Sequence, residues 1–283
     1  MGEAYVELLL RSLTLSANGP LEVLYPAPSS GRPLLRSLVQ RVLVKHKNAR
    51  LALSHTYDPE GDPAGRRTAY QLAPGIKTMI GRERLEQVRD CVLDVLERDV
   101  PGDLIETGVW RGGTTILMRG VLRSRGVTDR QVYVADSFEG LPPPDVARYP
   151  ADAGLDFHEH PVLAVSLDEV RANFERYDLL DDQVVFVKGW FRDTLPGLAD
   201  RTFSVIRLDG DLYESTMDAL VNLYPRLSPG GWLIVDDFHI PACVQAVTEY
   251  REAHGITAEL QRVNWAAAWR KEPVRATQAT GPA

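Results

Sequence analysis

Acidic residues end four apolar runs in this chain, and they are its candidates for chemistry. Leu104-Ile105 leads to Glu106, and Val132-Tyr133-Val134-Ala135 leads to Asp136. Ser204-Val205-Ile206-Arg207-Leu208 leads to Asp209, with Asp211 two residues on, and Leu233-Ile234-Val235 leads to Asp236-Asp237. A short apolar run ending in an acid and a turn reads as a buried strand whose tip carries a side chain to the carboxyl edge of a sheet. If the last two strands are parallel neighbours, their tips lie about 5 Å apart. Asp209, Asp236 and Asp237 then meet at one edge. Carboxylates that converge in a cleft repel one another, and one protonates unless a cation intervenes. Magnesium fits, because it takes oxygen ligands and keeps sites open for substrate. Adjacent residues of an extended strand face opposite ways, so Asp236 and Asp237 both ligate only where the chain has begun to turn. Asp211 also reads as a helix cap.

Glu106 opens the turn Glu106-Thr107-Gly108-Val109-Trp110-Arg111-Gly112-Gly113. A dinucleotide site wants a second glycine two residues after the first, so that a pyrophosphate can approach the backbone. Trp110 stands there instead, and Glu106 repels phosphate. This disfavours a nicotinamide oxidoreductase. The carboxylate suits an ammonium group, and S-adenosylmethionine carries an ammonium and a sulfonium but no phosphate. Thr107, Gly108, Val109, Trp110 and Gly113 join Glu106 as candidate cofactor-binding residues. Asp136, at the next strand tip, suits a ribose hydroxyl pair, with Ser137 and Phe138 beside it. Lys188-Gly189-Trp190-Phe191 ends a third strand. Its aromatic rings either flank an adenine or pack as core, and the sequence leaves both open.

The stretches LIETGVWRGG, DSFEGLPPPD, RLDGDLYEST and VDDFH, in that order, resemble the macrocin O-methyltransferase (TylF-like) family over about residues 70–272. The resemblance implies S-adenosylmethionine- and magnesium-dependent methylation of a sugar hydroxyl in a bacterial secondary metabolite. It places Thr78 and Met79 near the methionine part of the cofactor. It makes Asp209 both a metal ligand and the base, with His239 as the rival base. Other readings are a catechol-type O-methyltransferase, whose vicinal diol also chelates magnesium, and a catalytically silent cofactor-binding partner subunit.

The elements that must position these groups follow from periodicity. Strands are expected at 103–109, 131–137, 183–187, 203–209 and 231–236. Helices are expected at 82–97, 113–124, 166–176, 213–226 and 241–254, and a final antiparallel pair at 256–263 and 266–270. The implied fold is a class I methyltransferase: a Rossmann-like, doubly wound, mostly parallel seven-stranded α/β sheet with a helical N-terminal cap. The cap and dimerisation region spans 1–75, the catalytic domain 76–273 and a disordered tail 274–283. In the cap, 4–15 reads as an amphipathic helix. Leu34 to Val44 reads as an apolar stripe ringed by basic residues, docked on the domain or on a second subunit of a homodimer. Residues 55–68 read as a mobile loop. Gly140 to Val165 is a long irregular stretch, read as a lid over the acceptor. Its Asp156-Phe157-His158-Glu159-His160 lacks the spacing of a zinc site.

The 283 residues are 44% hydrophobic and carry a net charge of −7, which fits one large core and argues against a nucleic-acid partner. No run reaches membrane-spanning length. Cys91 and Cys243 stand far apart and read as reduced core residues of a cytoplasmic protein. A small glycoside or sugar is the expected partner.

Overall fold

The computed structural model describes residues 2–14, 21–26, 52–57 and 75–272. Its elements in chain order are α1 (Gly2–Leu13), β1 (Leu21–Pro26), β2 (Ala52–Tyr57), α2 (Arg82–Glu97), β3 (Asp103–Thr107), α3 (Gly113–Ser124) and β4 (Val132–Asp136). They continue with α4 (Leu167–Arg176), β5 (Val184–Lys188), α5 (Phe191–Thr194), β6 (Phe203–Leu208), α6 (Tyr213–Leu223), β7 (Leu227–Val235), α7 (Pro241–Ala253), β8 (Gln261–Val263) and β9 (Ala266–Arg270). β1 and β2 form an antiparallel pair, Leu21 opposite Tyr57. The loop expected from residue 55 therefore gives way to strand over 55–57. The expected helix Leu34–Val44 and the tail 274–283 lie outside the described residues.

The main sheet has seven strands in the order β5-β4-β3-β6-β7-β9-β8. The first five pair in parallel, while β9 runs antiparallel to β7 and to β8. The chain moves outward from β3 to β4 and β5, then returns to the other side of β3 with β6. Beyond the tips of β3 and β6 lies the crevice where open α/β sheets bind ligands.

Successive strand residues feed opposite layers. Leu104 of β3, Val205 of β6 and Ile234 of β7 pack with α1, α2 and α3. Ile105, Ile206 and Leu233 pack on the other face with α6 and α7. α1 belongs to the main body: Val6, Leu9, Leu10 and Leu13 are buried in the first cluster. Arg82 grips Glu7 with two hydrogen bonds of 2.8 and 2.7 Å.

Helices α2 and α3 match their expected limits. The expected helix 213–226 ends at Leu223 and tightens into a single turn over Tyr224–Arg226. Pro225 there has no N–H to extend the ladder. β7 starts earlier than expected, at Leu227, because a register shift against β6 absorbs Pro229-Gly230. The lid stretch carries three short helical turns, at Pro150–Asp152, Phe157–Glu159 and Pro161–Leu163. Ser166 caps α4 by accepting from the Glu169 amide. Among the described residues no helix is long and apolar enough to cross a membrane.

One glycine joins the fold to the crevice. Gly108 leaves β3 with φ +85, and a Cβ there would stand 1.7 Å from the Asp209 carbonyl oxygen. The tips of β3 and β6 close to this distance only without a side chain. Gly108→Ala is therefore expected to cost about 2 kcal/mol or more, seen as a lower urea midpoint at an unchanged m value.

Candidate active site

The turn after β3 is held from several sides. Gly113 opens α3, and its amide donates to the Lys77 carbonyl at 2.9 Å. Arg111 donates to the Ile76 carbonyl at 3.0 Å. The stretch Ile76–Met79 is thereby drawn against the turn. Thr78 is buried, and Met79 lines the crevice. Trp110 adopts a left-handed φ of 48°. Its indole N–H donates to the Val162 carbonyl of the lid at 2.8 Å, and the Arg111 guanidinium lies 4.4 Å from its ring.

Asp136 ties the second strand tip to the first. Its carboxylate accepts from the amides of Val109 and Phe138, both at 2.7 Å. Burial raises its pKa, and those amides take part of the rise back. Ser137 donates to the Gly140 carbonyl at 2.7 Å. The Gly189 amide bonds the Asp136 carbonyl, which sets Trp190 at the crevice wall. The cleft encloses about 750 Å³, its open mouth included. Gly108, Trp110, Asp136, Ser137, Trp190, Asp209 and Asp211 all line it. Thr107, Val109 and Phe138 are buried behind this wall, with Phe138 against Phe186. Lys188 is exposed, 3.8 Å from Glu139.

Beneath the cleft sits Arg207, fully buried. Glu106 stands opposite it across the β3–β6 ladder, and one guanidinium nitrogen donates both to Glu106 and, at 2.7 Å, to Asp209. The other terminal nitrogen lies 2.6 Å from Asp236. Arg84 of α2 meets the second Asp236 oxygen at 2.5 Å. Burial alone would raise the pKa of Asp236, but Arg207 and Arg84 overcome it and hold the group below its ordinary value. Glu106 is pushed up to about 8 by burial, which Arg207 offsets only in part. Its other oxygen is buried without a hydrogen-bond partner.

The sequence-predicted acids separate here. Asp209, Asp211 and Asp237 present carboxylate oxygens within 4.8 Å of one another. Asp236 is turned away into the two guanidiniums. Burial raises all three clustered acids, Asp211 to about 7 with help from the Asp209 charge. The Asp211 amide also donates to Asp237 at 3.1 Å. His239 is exposed and stacked on Trp265 with ring centres 4.9 Å apart, and it is not among the cleft-lining residues. Burial lowers its pKa despite Asp236. Cys91 and Cys243 are free and buried. His158, Glu159 and His160 are exposed.

Sequence reasoning passed over Arg207, Arg84 and the place of Asp211 in the cluster. The signal for Arg207 was present, since an arginine inside an otherwise apolar strand requires buried carboxylates.

A seven-stranded sheet in this order, with Asp136, Asp209 and Asp211 lining the crevice at its parallel strand tips, is a Rossmann-like methyltransferase fold of class I architecture. The comparisons give the particular family. Residues 2–271 match the macrocin-O-methyltransferase (TylF) family, and the chain belongs to it. It is 48% identical over 255 residues to the 8-demethyl-8-(2,3-dimethoxy-alpha-L-rhamnosyl)-tetracenomycin-C 4'-O-methyltransferase of Streptomyces olivaceus, covering 89% of this chain and 97% of that protein. It is 57% identical over 185 residues to the demethyldecarbamoylnovobiocin O-methyltransferase of Streptomyces niveus, covering 65% and 71%. The solved structure of the O-methyltransferase NovP superposes with a TM-score of 0.79 at 42% identity, covering 96% of this chain and all of that one.

Raised carboxyl pKa values set a pH dependence. Asp211 binds its proton more tightly folded than unfolded, so its contribution to stability is full below about pH 4 and is lost as pH rises through about 7. Metal-free protein is expected to lose thermal stability from about pH 4 to about pH 7. Asp211→Asn should flatten that slope, as read by calorimetry in chelator.

Proposed function

We propose that this protein methylates a hydroxyl on the sugar of a glycosylated bacterial secondary metabolite, taking the methyl group from S-adenosylmethionine at a magnesium-dependent site. The observation that carries the reading is one cleft lined by Asp136 and Trp190 together with Asp209 and Asp211. The tetracenomycin relative, whose name specifies a rhamnosyl 4' position, supports a sugar acceptor.

The residues fit both groups. Glu106 keeps a buried, unpartnered oxygen that suits an ammonium, and Asp136 faces the cleft beside Ser137 as a ribose acceptor. Asp209, Asp211 and Asp237 crowd negative charge, and among the described residues only Asp209 of the three is ion-paired with an arginine, which suits a divalent cation. When bound, S-adenosylmethionine supplies the methyl group, and magnesium supplies charge that makes a sugar hydroxyl more acidic and fixes its position. Asp209 and Asp237 hold the cation, positions shared by the spacing argument and the geometry. The third place in the expected set, Asp236, has both oxygens engaged by Arg84 and Arg207, and Asp211 faces the cluster instead. Asp211 lines the cleft and takes the hydroxyl proton on its carboxylate. Asp209 is the less available acceptor because Arg207 occupies one of its oxygens. The homodimer expected from the Leu34–Leu43 stripe is part of this proposal, and sedimentation of the intact chain and of Leu38→Glu tests it.

Mass spectrometry after incubation with S-adenosylmethionine, magnesium and a panel of glycosylated metabolites should show a gain of one methyl on a sugar. Methylation of catechols alone would overturn the acceptor class. EDTA should abolish turnover, and turnover at full rate in chelator would remove the metal. Asp211→Asn should lower kcat by about 10²–10⁴-fold with S-adenosylhomocysteine affinity retained. If His239→Ala or Asp209→Asn produces that loss while metal affinity is intact, the proton acceptor moves to that residue. Asp136→Ala should weaken S-adenosylhomocysteine binding by about 1–3 kcal/mol, measured by calorimetry.

A further inference from the structure

The long stretch over the cleft is seated on the catalytic elements by one buried acid. Asp152 ends the short turn Pro150–Asp152 and is fully buried. Its two carboxylate oxygens accept from the backbone amides of Tyr213 and Glu214, at 2.6 and 3.2 Å. Those are the first two amides of α6. The residue at that helix's own N-cap position is Leu212, which has no side-chain acceptor. The cap is thus delivered from sixty-odd residues away, by the lid. Around it the Tyr149 and Tyr213 rings lie 5.8 Å apart, and Leu155 and Phe157 pack against Ile240 and Cys243.

The capped helix end continues directly from the acid cluster. Asp209 is fixed by the sheet, its amide donating to the Thr107 carbonyl at 2.9 Å. Between that bond and the first turn of α6 lie only Gly210, Asp211 and Leu212. Asp211 holds a left-handed φ of 58°, which a residue with a side chain keeps only where its surroundings fix both sides. One side is the β3–β6 ladder, and the other is the helix end that Asp152 caps.

We propose that Asp152 is a positioning residue for methyl transfer: by capping α6 from the lid, it makes the placement of Asp211 depend on the lid being seated. An open lid uncaps the helix and frees the Asp209–Leu212 turn, so a competent carboxylate and a covered cleft arise together. The inference rests on the assignment of Asp211 as the proton acceptor.

Three readouts test it. In the wild-type protein, hydrogen exchange should show the Tyr213 and Glu214 amides protected, and free exchange at both would overturn the cap. Asp152→Ala should speed tryptic cleavage after the exposed Arg148 of the lid. It should also lower kcat about tenfold, the rate equivalent of one lost cap, with S-adenosylhomocysteine affinity unchanged. Asp152→Asn, which keeps the shape and one acceptor oxygen, should recover most of that rate. In the Asp211→Asn background, Asp152→Ala should cost nothing further. An equal loss in both backgrounds, or a wild-type kcat for Asp152→Ala well below its Tm, would reduce Asp152 to a structural anchor. Full activity of Asp211→Asn alone would instead remove the assignment on which the coupling is built.

Discussion

A single buried guanidinium sets the terms for the whole site. Arg207 lies in β6, the middle strand of the seven-stranded sheet, covered on both faces, and three carboxylates surround it. Glu106, Asp209 and Asp236 come from the tips of three adjacent strands. Removing the arginine would leave these acids uncompensated in a medium that penalises isolated charge. The ion pairs are better understood as a condition for keeping this many acids at one sheet edge than as a source of stability. Arg84 extends the condition to α2, which ties the helix layer to the site.

The strand repeat decides which acids are neutralised and which face the cleft. Leu104, Val205 and Ile234 point to the α1–α3 layer, so Glu106, Arg207 and Asp236, each two residues further on, point the same way. These groups meet below the surface. Asp237 is displaced by one residue and faces Asp211 instead. A period of two thus puts Glu106 and Asp236 underneath with the arginines and Asp237 on the other side, while Asp209 joins the two groups, paired with Arg207 and within 4.8 Å of Asp211 and Asp237.

The sheet was legible because its strands are continuous apolar runs ending in acids, and helices α2 and α3 because their apolar faces keep a helical repeat. Element ends were less legible wherever a local break could be absorbed. Pro229-Gly230 reads as a turn, yet it sits inside β7 because the register shifts around it. In the site, Glu106, Asp136, Asp209 and Asp237 were legible as strand tips. The division between Asp236 and Asp237 was foreseeable only as a constraint, since nothing in the sequence says which of two neighbours turns inward. Asp211 read as a cap because it precedes a helix. The actual cap comes from Asp152, through a long-range pairing that no local pattern encodes.

The distance between the two halves of the cleft is a property of the backbone. Gly108 sits against the Asp209 carbonyl with no room for a Cβ, and the Asp209 amide bonds Thr107. The turn that follows Glu106 and the start of the turn that carries Asp211 are therefore locked together by main-chain contacts. Group transfer demands that donor and acceptor be held at a fixed separation, and a misplacement of about 1 Å costs orders of magnitude in rate. Side chains that move between rotamers would set that separation poorly. A glycine-to-carbonyl contact between adjacent parallel strands fixes the sheet end of the Asp211 turn as firmly as the sheet itself, and the helix end of that turn is held by the Asp152 contact.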